Sequence, residues 1–295
     1  MTPIHIRVLR HSAFYSPLIL TIAAGYLADE GLEADYDVAT ETNTVEQGLN
    51  SSQVQVAQSA VATRFAGLAN AEPSSIRHFA QINQRDGFFI TAREPKAVFA
   101  WEDLTSGPIL VDHFFQPLAM FRYALYKQGI DFNRLNVLDA GDVQAIDGAY
   151  RAGQGAYVHQ QGPYAQQLEA DGLGAVVAAV GEVVGPVAFS SLCATQSWLN
   201  TDMASAFFRA YCRGRQAAMS LDAAEIARLE SPFFPDIDQD VLSETIKSYQ
   251  QLGCWQGDPS ISESVYEKTL DVFEFSGDIK TRFAYEDIVC TAPDI

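Results

Sequence analysis

Cysteine is scarce in this chain of 295 residues. Its four cysteines, Cys193, Cys212, Cys254 and Cys290, are widely spaced and form no C-x-x-C pair, which argues against a metal site or a redox dithiol. An even count permits disulfides without requiring them, and isolated buried thiols are the simpler reading. No run of about 18 apolar residues occurs, so no membrane-spanning helix is expected. Basic residues are outnumbered, 19 Lys+Arg against 37 Asp+Glu, for a formal charge of −18. Such a surface repels phosphate backbones, so neither nucleic acid nor an anionic membrane is expected as a partner. A locally positive cleft would still accept an anionic small ligand. With 20 Gly and 12 Pro, a collagen-like or low-complexity chain is excluded. No G-x-G-x-x-G or phosphate loop is present. The first ten residues, MTPIHIRVLR, lack the basic stretch, apolar run and cleavage site of a signal peptide. The protein is expected in the periplasm or cell envelope if a leader was removed, and in the cytoplasm otherwise.

What is present is apolar material, 48% of the residues, enough for a sizeable core. The length suggests two domains or one large α/β unit. Ile4, Ile6 and Val8 alternate as in a half-buried strand over residues 4–10. Pro17 after Ser16 predicts a helix start, and Gly31 a helix end. Further strands are read at residues 32–38, 53–58, 75–83, 88–93, 108–111, 135–138, 156–159, 175–180 and 187–193, with helical segments between most of them. After Cys193 the pattern becomes helical to the end. Alternating strands and helices followed by a helical tail indicate α/β with mainly parallel sheets.

The order of several short motifs then becomes informative. Residues 25–34, GYLADEGLEA, follow a strand, a loop and a helix. VAQSA at 56–60, WEDLTSG at 101–107, GAYRAG at 148–153 and FSSLCA at 189–194 come next. In this order they resemble a solute-binding family that groups alkanesulfonate-binding (SsuA-like) proteins with relatives of the thiamine-pyrimidine synthase. The resemblance covers most of residues 1–220. Two stretches depart from it. GQGAYVH at 153–159 lacks the family's common Asp, and VDHFFQP at 111–117 is bulky where a small Gly/Ser-rich loop is usual.

The resemblance implies a two-lobed type II periplasmic-binding-protein fold, each lobe a mainly parallel sheet flanked by helices. The first lobe is expected from residues 1–88 and 190–295, the second from 89–189, with hinge strands near 88–93 and 187–193. A ligand then lies between the lobes, at the carboxyl ends of the strands, and closure is a hinge motion. That places Ser12, Phe14 and Tyr15 of the first loop at the cleft, with Asn43 and with Gln58, Ser59 and Ala60. The second lobe supplies Asp112, His113, Phe114 and Phe115, then Asp142, Tyr157, His159 and Gln160. For Phe14 the alternative is packing inside its own lobe. For Asn43 and His113 it is helix capping, and for Tyr157 and His159 it is filling a sheet–helix interface.

Rings at these positions stack on flat heterocycles, while hydroxyls and imidazoles give direction. The functional expectation is a monomeric solute-binding protein for an ABC importer, with an ABC permease as partner and a small planar, heterocyclic or aromatic ligand. Candidates are a thiamine-precursor-like pyrimidine or an aromatic sulfonate or carboxylate. No cofactor, metal or catalytic residue is called for. The alternative is a cytoplasmic enzyme on the same fold, using His113 with Asp112 orienting it. A sensor or interaction module fits the fold without positive support. Desulfinase chemistry would need a cysteine in the first loop, and none precedes Cys193.

Overall fold

A computed structural model describes residues 1–294. Among them ten strands form two five-stranded sheets. The strands are β1 (Thr2–Val8), β2 (Leu32–Val38), β3 (Val56–Ser59), β4 (Ile76–Asn83), β5 (Phe88–Ala92), β6 (Pro108–Val111), β7 (Asn136–Leu138), β8 (Tyr157–Gln161), β9 (Ala175–Ala179) and β10 (Ser190–Thr195). The first sheet has the order β2-β1-β3-β10-β4, the second β7-β6-β8-β5-β9. β1 runs parallel to β2 and β3, and β10 lies antiparallel between β3 and β4. The second sheet repeats the plan, with β6 parallel to β7 and β8, and β5 antiparallel between β8 and β9.

The alternation in β1 is the clearest case of sequence dictating structure. Ile4, Ile6 and Val8 are fully buried, and each contributes about 1.5–3 kcal/mol by leaving water. The opposite face carries Arg7, also buried. Its guanidinium meets Asp37 of β2 through Nε–Oδ1 at 2.8 Å and Nη2–Oδ2 at 2.6 Å. β3 is buried along its whole length, as expected of a central strand covered on both faces.

The first helix differs from its expected form. Ser12, not Ser16, caps the turn Ala13–Tyr15, accepting the Phe14 N–H. Helix Ser16–Ala23 then stops at Gly25, whose φ of 79° lies in the left-handed region. A second helix, Tyr26–Asp29, carries the chain to Gly31, at φ 76°. The helix expected to run unbroken is therefore split by the glycine of the GYLADEGLEA motif. Ser59 caps no helix. It ends β3, and a tight turn over Val61–Arg64 follows Ala60 before the helix Phe65–Ala69.

The chain passes between sheets twice. Residues 84–87 join β4 to β5, and residues 185–189 join β9, through helix Val180–Val184, to β10. Residues 88–92 are thus an ordinary strand of the second sheet, and residues 190–193 one of the first, where hinge strands were expected. The crossings fall just before them, at Asp86-Gly87 and Gly185-Pro186, pairs that favour turns over ladder pairing.

The helical tail does not belong to one lobe. Helix Asp202–Ser220 packs on Ser16–Ala23 of the first lobe. Helix Gln239–Leu252 also packs on Tyr164–Ala170, and helix Glu263–Ser276 on Phe115–Lys127, both of the second lobe. Tyr249 marks the junction. Its hydroxyl accepts from Gly162 N at 2.8 Å and donates to Gly87 O at 3.1 Å. One hydrophobic core consequently runs through both lobes, past Phe14, Phe88, Phe89 and Tyr249.

Candidate functional site

The carboxyl ends of β1, β3, β6 and β8 converge between the sheets. There the chain leaves β1 through Leu9 and Arg10, β3 through Ala60, and β6 through Asp112. Two adjoining cavities open at this place, of about 380 Å³ and about 230 Å³, and both are bounded by Leu9, Arg10 and Gln161. The larger is the more polar, with His11, Ser12, Asp112, His159 and Gln160 in its wall. The smaller is walled by Tyr15, Phe88, Phe114, Phe115, Pro117 and Phe189.

An ion pair spans the cleft. Arg10 of the first lobe meets Asp112 of the second through Nη1–Oδ2 at 2.7 Å and Nη2–Oδ1 at 3.3 Å. The guanidinium carbon also sits 4.5 Å over the Phe114 ring, a cation–π contact. Burial pushes the Asp112 carboxyl up, but the Arg10 bonds and charge, with the Phe114 N–H, outweigh it and hold the group below the ordinary carboxylate range. Two further bonds tie the lobes here. The Ser12 hydroxyl donates to Gly162 O at 2.7 Å, and Gln116 Nε2 donates to Phe189 O at 2.6 Å.

His159 is fully buried and sandwiched between Phe88 and Phe121, each ring centroid 4.7 Å away. Burial drives its pKa down to about 3, so the imidazole is neutral. Neither of its nitrogens has a protein hydrogen-bond partner, nor does either end of the buried Gln160 amide. Such groups are costly to leave unpaired. Both residues border the larger cavity, but as consecutive positions of β8 they point their side chains to opposite faces of the sheet.

The other predicted residues are distributed unevenly. Tyr15, Gln58, Ala60, Phe114 and Phe115 line the smaller cavity, and Ser12, Asp112, His159 and Gln160 the larger. Phe14 packs inside the core against Phe189 and Tyr249, at centroid distances of 5.4 and 4.9 Å. Tyr157 begins β8, at the end of the strand away from the cleft, beside Arg93 and Lys96. Strand alternation puts it on the His159 face but two residues too early. Asn43 sits at the lobe's rim and accepts from Arg7 Nη1 at 2.7 Å. Ser59 Oγ lies 3.2 Å from Thr63 Oγ1. Asp142 caps helix Val143–Arg151, so its neighbours Val143 and Gln144, not its own side chain, reach the cavity wall. His113 stands in neither wall. Its Nδ1 donates to Val111 O at 2.8 Å, and Asp139, not Asp112, is the nearby carboxylate at 3.7 Å.

The sequence reading missed Arg10, Gln116 and Gln161. The alternation of residues 4–10 ends a strand at Arg10, one position short of the loop, whereas β1 stops at Val8. Gln161 follows from the alternation that places His159, and Gln116 had no sequence signal.

Against known proteins, the model of the NMT1/THI5-like family matches residues 13–222. The chain belongs to this family. It is 28% identical over 293 residues to YtlA of Bacillus subtilis (strain 168), whose name carries the words "binding protein"; the match spans 98% of this chain and 88% of YtlA. Among solved structures, a ligand-binding component of an ABC-type import system from Staphylococcus aureus, with zinc bound, is similar at TM-score 0.76 and 15% identity, covering 99% of this chain and 97% of that one. The alkanesulfonate-binding protein SsuA from Xanthomonas axonopodis pv. citri, bound to MOPS, is similar at TM-score 0.73 and 15% identity, covering 99% of each chain. At these identities the likeness speaks for the fold, and this NMT1/THI5-like chain has the two-lobed architecture of periplasmic binding proteins.

Proposed function

We propose that this protein is the solute-binding component of an ABC importer and captures a small planar, heterocyclic or aromatic molecule between its lobes. The observation that carries this reading is the cleft itself. Two sheets present their strand ends to one space, and rings of Tyr15, Phe88, Phe114, Phe115 and Phe189 wall one side of it. Rings of this kind stack on flat molecules, and a pocket with an apolar wall and a few polar groups is the usual form of a small-molecule site. The name of YtlA and the names of the two solved structures support the same class. His113, tied to a backbone carbonyl outside the cavity walls, gives no support to a catalytic role. On this reading the protein acts as a monomer at the cell envelope, and an ABC permease receives its cargo.

The test is native mass spectrometry followed by calorimetric titration with thiamine-type pyrimidines, aromatic sulfonates, aromatic carboxylates, taurine and nitrate. The reading expects monomers that bind one ring compound 1:1 and release it unchanged. Recovery of a transformed compound, or binding of nitrate and of no ring compound, contradicts it.

A further inference from the structure

The charges that face the cleft cancel. Arg10 and Asp112 are bonded to each other across it, and Asp112 is only 3% exposed. Among the described residues, the other titratable side chains in the wall of the larger cavity, His11, His159 and Tyr164, are uncharged near neutral pH. His159 and His11 are kept neutral by burial. The Tyr15 and Tyr164 hydroxyls are pushed up by burial. Asp86, behind this wall, is pushed up to about 8 by burial, so its carboxyl is mostly protonated. An oxyanion that drew Arg10 away would strand the buried Asp112 carboxylate without its partner. Breaking a buried pair from one side is strongly unfavourable. The groups left without protein partners are instead neutral dipoles. At the larger cavity Gln160 offers one carbonyl and one amide NH₂, while the His159 ring is enclosed between Phe88 and Phe121.

We propose that the cleft selects a net-neutral ring compound carrying a donor–acceptor group of the carboxamide or lactam kind, and rejects simple oxyanions, because Arg10 is already neutralised by Asp112. The donor–acceptor group meets the Gln160 amide in the larger cavity, and the ring lies against Phe114 and Phe115 in the smaller. This rests on the cleft being the ligand site. It narrows the ligand class within it.

The test pairs isosteric probes of different charge. Benzamide is compared with benzoate, and benzenesulfonamide with benzenesulfonate, with nitrate added, by calorimetry at neutral pH. Three proteins are used: wild type, Asp112→Asn, and the Arg10→Gln/Asp112→Asn double variant, each checked for cooperative unfolding. In wild type the neutral member of each pair is expected to bind at least about tenfold more tightly, one decade being a modest share of the cost of a stranded buried charge. Asp112→Asn frees the Arg10 charge and is expected to reverse the preference towards benzoate, benzenesulfonate and nitrate. The double variant, again neutral, is expected to restore it. Tighter binding of the anions by wild type overturns the proposal while leaving the cleft as a binding site. An unchanged preference in Asp112→Asn also overturns it. Silence of every probe in all three proteins removes the cleft reading itself, and this proposal with it.

Discussion

The Ser12 hydroxyl donates to the Gly162 carbonyl at 2.7 Å, joining the first loop of one lobe to the end of β8 in the other. The same oxygen accepts the Phe14 N–H at 3.1 Å. One side chain therefore caps a turn and bridges the lobes. Ser12→Ala removes both bonds, and at about 0.5–1.5 kcal/mol each the loss should appear as a lower urea midpoint. It should also shift small-angle scattering towards a wider mean lobe separation. A lower midpoint with unchanged scattering would leave the cap and remove the bridge from this account.

Tyr249 ties the helical tail to both lobes through Gly162 N and Gly87 O. Tyr249→Phe keeps the ring and deletes the hydroxyl, leaving two buried backbone groups unpaired. A loss of about 1–3 kcal/mol is expected in denaturant unfolding. A change near zero would mean that water replaces the hydroxyl.

At Gly87 a Cβ would stand 2.4 Å from the Phe14 ring. Gly87→Ala should therefore cost about 1–3 kcal/mol through overpacking at the crossing. Adding Phe14→Leu should recover part of it, because the obstacle is a side chain. Failure of the double variant to improve on the single one would place the strain in the backbone.

This residue also shows what the sequence could and could not reveal. Phe14 lies in a loop that points at the cleft, but the glycine beside it makes room for the ring in the core, and that space comes from the crossing at residues 84–87. By contrast, the Ile4, Ile6 and Val8 alternation fixed β1, and the motif order anticipated two similar lobes. The Arg10–Asp112 pair was half legible. Asp112 followed a buried strand, but its partner is 102 residues away, and no local pattern encodes such a contact. The tail read correctly as helices. That two of them cross to the second lobe is a packing fact with no signature in periodicity.

Stability should depend on pH in opposite senses at different sites. Burial raises Asp86 from an ordinary 3.8 to about 8. Between those values the folded protein holds a proton that the unfolded chain gives up, so this contribution falls as pH rises, by at most about 1.4 kcal/mol per pH unit. His78 and His159, lowered by burial from 6.5 to about 3, act the other way. The unfolded chain takes up protons that the folded one refuses, and stability is lost as pH falls through that window. Asp86→Asn removes only the first effect. The stability of wild type relative to this variant should therefore decline from about pH 5 to about pH 8. A difference that stays flat with pH would show that Asp86 is charged in the folded protein.

If a small ring compound binds between the lobes, a crystal structure with the tightest compound of the titration will show it there. The expected density lies between Arg10, Phe114 and Gln160, in contact with both lobes. Density at any other surface, such as the groove beside Tyr126 and Phe275, with the Arg10–Asp112 cleft unchanged, would contradict binding between the lobes.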